Sequence, residues 1–316
     1  MISIIYPVYN VENCLEKSLQ SLLNQDFVDF EVVAVNDGST DDSAKILSEF
    51  AAKDDRIKIY HQENQGVAKA RMNALKNAKG KFVCFVDSDD VLPKNSLSVL
   101  YNALISNDVD IAEGNYCKIF PDGKVVNYIF PNSCVVTAKE NIDMLLSSKV
   151  LYSLCAKLFK KHLFNSVEFK DFVFMEDVCL TLQAVAQTDR VVLVDECVYQ
   201  YVQRQGSAVH SHFNDRSVAD YYFARIWIAD YLKKTFGDFF EKESEEFVLQ
   251  GFAYTLCLGG KQFLQKDDIS DCKKIFTNYK KCLPIGQRAV VQFVNIPIVN
   301  KILIKLYQIR IRKSKC

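Results

Sequence analysis

The stretch "KFVCFVDSDD", residues 81–90, decides how the chain is read. Phe82 to Val86 form a continuous apolar run, as in a strand buried on both faces of a parallel sheet. Three of the next four residues, Asp87, Asp89 and Asp90, are carboxylates. Charges of one sign at this spacing raise each other's pKa, so the turn implies a positive partner. Hard oxygen ligands suit Mg²⁺ or Mn²⁺. An EF-hand loop is discounted, because Pro93 interrupts the ligand pattern of "DSDDVLPKNSLS".

Working outward, "ISIIY" is a first strand ended by Pro7, and Leu15, Leu19, Leu22 and Leu23 then recur at helical spacing. "FEVVAV" predicts a second strand ended by "NDGSTDDS", where Gly38 turns the chain and Ser39 or Thr40 caps a helix carrying Ile46, Leu47 and Phe50. "IKIY" is a third strand, followed by a helix with Val67, Ala70, Ala74 and Ala78. Strands alternating with helices imply right-handed βαβ units and an α/β fold with a mostly parallel, Rossmann-like sheet. Ligands of such sheets bind at the carboxyl ends of the strands, where "PVYN", "NDGSTDD" and "DSDD" all fall.

Beyond residue 120, "FPDGKVVNYIF" predicts a hairpin turning at Asp122-Gly123. "FMEDVCLTLQAVAQ" is a helix with Glu176 and Asp177 at its start, and "RVVLVDECVYQYVQRQGSAVH" one or two strands and a polar loop. The remainder reads as helical. The expected organisation is a domain over 1–212, in two halves (1–115, and 116–212), then a helical region over 213–316.

The 316 residues are 49% apolar and 25% charged, an ordinary folded composition. Eleven cysteines stand singly with no C-x-x-C pair, which favours a reducing cytosol. A net charge of zero hides an asymmetry: the 45 residues after Asp271 hold 11 basic and no acidic residues, leaving −11 on the first 271. Ala289–Asn300 is uncharged but only twelve residues long, too short to span a bilayer. Ile298, Ile302, Leu306 and Ile309 recur at helical spacing after Pro297, among Lys301, Lys305 and Arg312. A basic amphipathic tail over 287–316 is therefore expected to lie peripherally on an anionic membrane, the inner face of the plasma membrane. Packing on the preceding domain or a homo-oligomer contact stand as alternatives.

The motifs "SIIYPVYN", "FEVVAVNDGSTDDS", "NQGVAKARMNAL", "GKFVCFVDSDDVL", "MEDVCLTLQA" and "YQYVQRQGSAV", in this order, resemble the family 2 inverting glycosyltransferases of the GT-A fold. They anchor residues 1 to about 210, and the resemblance implies that the first half of the domain (1–115) binds a nucleotide and the second (116–212) an acceptor. The resemblance implies a UDP-sugar donor whose uracil and ribose are held by Pro7, Tyr9 and Asp37, with Asn64 and Arg71 completing the nucleotide site. Asn36 stands where family members often carry Asp. Asp87-Ser88-Asp89 matches the D-x-D motif: Asp89 would bind the metal bridging the phosphates, and Asp87 the ribose or the metal's water shell. Asp90 is assigned to capping the following helix. Glu176-Asp177 matches the family's catalytic pair, with Asp177 as general base, and Arg204 and Ser207 resemble a loop that closes on the diphosphate. Residues 115–175, including Lys157, are expected to shape donor and acceptor choice. The implied task is transfer to a glycan or lipid-linked acceptor during bacterial surface-polysaccharide synthesis.

Other classes fit less well. No G-x-G-x-x-G follows the first strand and no P-loop is present. The tail is rich in Ile, Leu and Val rather than stacking aromatics, which argues against nucleic acid. A nucleotidyltransferase explains the acidic turn but not Glu176-Asp177. A non-catalytic UDP-sugar-binding protein is the alternative from outside the enzymes.

Overall fold

The computed structural model describes residues 1–128, 132–203, 215–258, 260–295 and 303–305. Arg204 and Ser207 lie outside the described residues, as does most of the tail beyond 295. The chain divides into two compact units, Met1–Asp171 with Glu176–Ser211, and Phe172–Met175 with His212–Cys316.

In the first unit, β1 (Ile2–Val8), β2 (Phe30–Asp37), β3 (Ile57–Gln62) and β4 (Phe82–Phe85) are joined through helices α1 (Glu12–Leu23), α2 (Ser43–Ala51) and α3 (Val67–Asn77). They pair in parallel in the order β3-β2-β1-β4. α4 (Ser96–Ser106) returns the chain to β5 (Ile111–Ile119). The sheet continues past β4 through β8 (Lys157–Lys160), antiparallel to both β4 and β5, then β5, β9 (Arg190–Val202) and β7 (Cys134–Thr137). β6 (Val125–Tyr128) pairs with β5 as the expected hairpin, Gly123 taking a φ of 83° in its turn. α5 (Ala138–Leu146) and α6 (Glu176–Val185) complete this unit. α5 opens on a capping box between Thr137 and Glu140.

The apolar run read at 82–86 is buried throughout, as are all seven residues of β1. Its core joins Ile2, Ile4, Val32, Phe82 and Cys84 to Leu15, Leu19, Leu97 and Leu100 of the covering helices. β1 does not stop at Pro7. Ile5 O accepts from Val86 N, so the odd residues of β1 turn their peptide groups toward β4. Pairing with β4 ends at Ile5, whereas pairing with β2 runs to Val8. The proline's missing N–H therefore falls where no ladder bond is required.

Two further expectations change. Ser39 and Thr40 do not cap α2, whose N-cap is Asp42. Instead Ser39 Oγ accepts from Asn10 N, and Asn10 Oδ1 accepts from Thr40 N, tying the loops after β1 and β2 together. Lys157 cannot contact a substrate, because it is wholly buried. Its ammonium pairs with Glu113 Oε1 at 3.1 Å and donates to the carbonyls of Ser153 and Leu151, while Asn141 donates to Glu113 Oε2.

The second unit contains α7 (Asp215–Phe236), α8 (Glu241–Cys257), α9 (Lys266–Tyr279) and α10 (Ile285–Gln292). Leu249, Phe252, Leu256, Cys272, Val290, Val291 and Val294 form its core, with Leu303 and Ile304 packed against it. Residues 287–294, expected at the start of the membrane-facing tail, thus carry core side chains. No helix of the described residues is long and apolar enough to cross a membrane.

Truncating Lys157 would leave the Glu113 carboxylate buried without its counter-charge. Lys157→Met should cost about 3–5 kcal/mol in urea unfolding, and Lys157→Met with Glu113→Leu should recover most of that loss.

Candidate functional site

At the carboxyl end of β4 the chain turns sharply, Asp90 N donating to Asp87 O. Asp87 and Asp89 are half-exposed, while Ser88 and Asp90 are buried. Asp90 does not cap α4, whose N-cap is Asn95. Its carboxylate accepts from Tyr199 Oη at 2.7 Å and from Val202 N at 2.8 Å, both on β9. Tyr199 Oη also accepts from Asp87 N at 3.2 Å, and Val91 and Gln200 exchange backbone hydrogen bonds. The acidic turn is thereby clamped to β9. Burial, reinforced by Asp89 and Asp87, pushes the Asp90 carboxyl well above the usual carboxylate range.

Arg71 links this turn to the start of α6. It projects from α3, is 5% exposed, and donates from Nη2 to Asp87 Oδ1 at 2.8 Å and from Nη1 to Glu176 Oε1 at 2.6 Å. Its Nε has no hydrogen-bond partner among the described residues. The sequence assigned Arg71 to the nucleotide site, but here its guanidinium is committed to the two acidic motifs. A planar fork held between two carboxylates is a geometry that lysine cannot reproduce.

The charges around Arg71 are unequal. Burial opposes its positive charge, yet Asp87, Glu176 and Asp177 together hold its pKa above the ordinary arginine value. Each carboxylate has one guanidinium to share and acidic neighbours to resist. Burial, with Asp177 alongside, therefore pushes Glu176 up to about 7, against the pull of Arg71. Burial likewise raises the half-exposed Asp177. Asp177 Oδ1 accepts from Val178 N at 2.8 Å. Met175, just before this pair, holds a φ of 71°, and Ala156 and Asn10 at 59° and 49° are also left-handed. Such backbone costs of order 1–3 kcal/mol each and persists only where its surroundings enforce it.

The other predicted residues form a corner at the ends of β1 and β2. Pro7 is buried, Tyr9 is 46% exposed, and Asn64 is exposed in the loop before α3. Asp37 is buried and accepts from Gln62 Nε2, Gln65 N and Gly66 N at 2.8–2.9 Å, bracing that same loop. Gly38, with φ 71°, admits no larger residue, since a Cβ there would lie 2.8 Å from Asn64 N. Asn36 accepts from Ser39 N and bonds His61 Nδ1, so it shapes the turn. Tyr199 and Cys155, whose Sγ lies 3.6 Å from Asp87 Oδ2, were missed in the sequence. The alternation Tyr199-Gln200-Tyr201 was the available signal, because it sets two tyrosines on one face of a strand.

The family model for glycosyl transferase family 2 matches residues 3–165. The chain belongs to that family. It is 35% identical over 215 residues to glycosyltransferase GlyA of Streptococcus pneumoniae, covering 65% of this chain but 31% of that protein. It is 30% identical over 224 residues to glycosyltransferase GlyG of the same organism, covering 68% and 74%. The fold matches S. aureus TarS in complex with UDP-GlcNAc, with a TM-score of 0.70 at 22% identity over 99% of this chain and 92% of that one. It also matches the mannosyltransferase PcManGT of Pyrobaculum calidifontis in complex with GDP-Man and Mn²⁺, with a TM-score of 0.53 at 16% identity over 95% and 86%. The GT-A fold follows from these likenesses.

A carboxyl that holds its proton more tightly folded than unfolded removes stability as pH rises between the two pKa values. For Glu176 that window runs from its ordinary 4.5 to about 7. Urea unfolding of the ligand-free protein at pH 5 and pH 8 should show this loss in the parent chain and a flatter dependence in Glu176→Gln.

Proposed function

We propose that this family 2 member is a metal-dependent inverting glycosyltransferase. It moves a sugar from a UDP-sugar to a hydroxyl of a glycan or lipid-linked acceptor in bacterial surface-polysaccharide synthesis. The observation carrying this reading is that Arg71 joins Asp87 of the acidic turn to Glu176 of the α6 start, so both motifs share one corner. The UDP-GlcNAc complex of TarS supports the donor class, and the Mn²⁺ of PcManGT supports a divalent metal.

Among the described residues no three His, Cys, Asp or Glu side chains are grouped to hold a metal by themselves. That donor set fits a cation shared with a ligand, since Mg²⁺ typically takes one or two carboxylates and completes its shell from substrate phosphates and water. Asp89 and Asp87 would hold it, and when bound it offsets negative charge on the departing diphosphate. Tyr9, Pro7, Asp37 and Asn64 form the nucleotide corner, with Ser88 in the turn beside it. Arg204 and Ser207 are assigned to the diphosphate by resemblance.

Asp177 acts as general base. The acceptor hydroxyl gives its proton to Asp177 as its oxygen bonds to the anomeric carbon. The bond from that carbon to the UDP oxygen breaks on the opposite face, and UDP leaves with the electron pair. Burial raises the Asp177 carboxyl above its ordinary value, the direction that suits a base. Glu176, fixed by Arg71, orients the start of the helix.

Asp177→Asn should lower the transfer rate at least about 10²-fold with little change in donor affinity. Collapse of donor binding instead would assign Asp177 to the nucleotide site. Asp89→Asn should abolish the Mn²⁺ or Mg²⁺ dependence of UDP binding in a folded protein, and full activity in excess EDTA would exclude the metal. A chain that binds UDP-sugars and never releases UDP would be the non-catalytic binder.

Peripheral docking on anionic membrane is supported by the eleven basic residues after Asp271. Each basic residue near such a surface adds about 1 kcal/mol. Because α10 belongs to the helical core, the deletion that tests docking is 306–316, which removes Arg310, Arg312, Lys313 and Lys315. It should release the protein from phosphatidylserine vesicles at low salt while the fold survives. Equal sedimentation of both forms would overturn the role.

A further inference from the structure

The register of β5 sets an aromatic row beside the acidic turn. Tyr116 pairs with Tyr199 on β9 and with Tyr128 on β6, and Lys118 pairs with Tyr201. Residues paired directly across strands point to the same face of a sheet. Tyr128, Tyr116 and Tyr199 therefore cross three strands on one face, with Lys118 and Tyr201 in the adjoining row. From this face Tyr199 reaches Asp90, so the row begins at the D-x-D turn. Two strand spacings of ~4.8 Å separate Tyr199 from Tyr128, about the reach of one or two sugar rings.

The outer part of this row is open. The Tyr116 and Tyr128 rings stack at 4.6 Å with 3° between their planes, and Tyr128 is 39% exposed. Lys118 Nζ lies 4.9 Å from the centre of the Tyr128 ring and 5.9 Å from that of Tyr201. It makes no ion pair among the described residues, although both partner rings lie within cation–π range. The row also stands on the far side of the turn from the nucleotide corner, because β1 and β2 precede β4 in the sheet order and β5 and β9 follow it.

We propose that Tyr128, Tyr116 and Lys118 form the subsite for the acceptor chain, and that this acceptor is an acidic glycan. A pyranose ring lays its apolar C–H face on Tyr128, and its anionic group, a carboxylate or a phosphate, meets Lys118. Aromatic rings supply broad apolar contact with a polar edge, and an ammonium is a point charge for such anions. The inference rests on the glycosyltransferase reading, and its test is separable from it.

The full chain is titrated by calorimetry at low salt with hyaluronan tetrasaccharide, glucose 6-phosphate and neutral N-acetylchitotetraose. At least one anionic sugar should bind more tightly than the neutral one, and which of the two binds identifies the anion. Tyr128→Ala should weaken saccharide binding at least about tenfold, a change of 1.4 kcal/mol. Tyr128→Phe should retain binding, and Lys118→Gln should abolish the preference for charge. Unfolding midpoints matching the parent exclude loss of fold. No binding by any of the three sugars, or parent-like binding in Tyr128→Ala, overturns the subsite. If the sugars bind as expected while the parent chain releases no UDP from UDP-sugars, the subsite stands and the catalytic reading fails.

Discussion

One buried arginine holds the two acidic motifs of this protein together. Arg71 projects from α3 between the turn that ends β4 and the start of α6, and both its terminal nitrogens are taken by carboxylates 16 and 105 residues away in the chain. Burying a single unpaired guanidinium or carboxylate would cost several kcal/mol. Their mutual satisfaction therefore confines all three elements together. Burial raises Glu176 and Asp177, the pairing of three acids with one cation leaves that rise only partly offset, and the corner stays receptive to further positive charge.

The second constraint is mechanical. An acidic turn alone could adopt many conformations, but Tyr199 and Val202 hold Asp90, Tyr199 also holds the Asp87 amide, and Val91 pairs with Gln200. β9 thus acts as a rigid backing for the turn. Asn10, just after β1, and Ala156, just before β8, are left-handed. Each lies at the boundary of a regular element, where local strain is tolerated when tertiary contacts over-determine it.

The acidic corner, the nucleotide corner and the tyrosine row are products of one sheet order. β4 lies between β1 on one side and β8, β5 and β9 on the other. The ends of β1 and β2 carry Tyr9 and Asp37, and β5, β6 and β9 carry the tyrosines. Arg71 brings Glu176, at the start of α6, to the same turn as Asp87.

Much of this was legible in the linear chain. Hydrophobic runs and their turn residues determined the first four strands and the helices between them, because the period of apolar side chains is a local property. The order of the acidic clusters identified the family. The strand β8 was not legible: "KLFK" is short, and its place between β4 and β5 depends on ladder pairing, the burial of Leu158 and Phe159, and the Lys157–Glu113 pair, all of which are tertiary. Nor did Asp90 or Arg71 reveal their partners. A carboxylate after a strand looks the same whether it caps a helix or accepts a buried tyrosine, and a helical arginine looks the same whether it faces phosphate or two acids. Sequence by itself determined which groups were present and at which strand ends. Tertiary structure alone decided which of them were buried against one another, because burial and charge pairing depend on contacts between residues up to 112 positions apart.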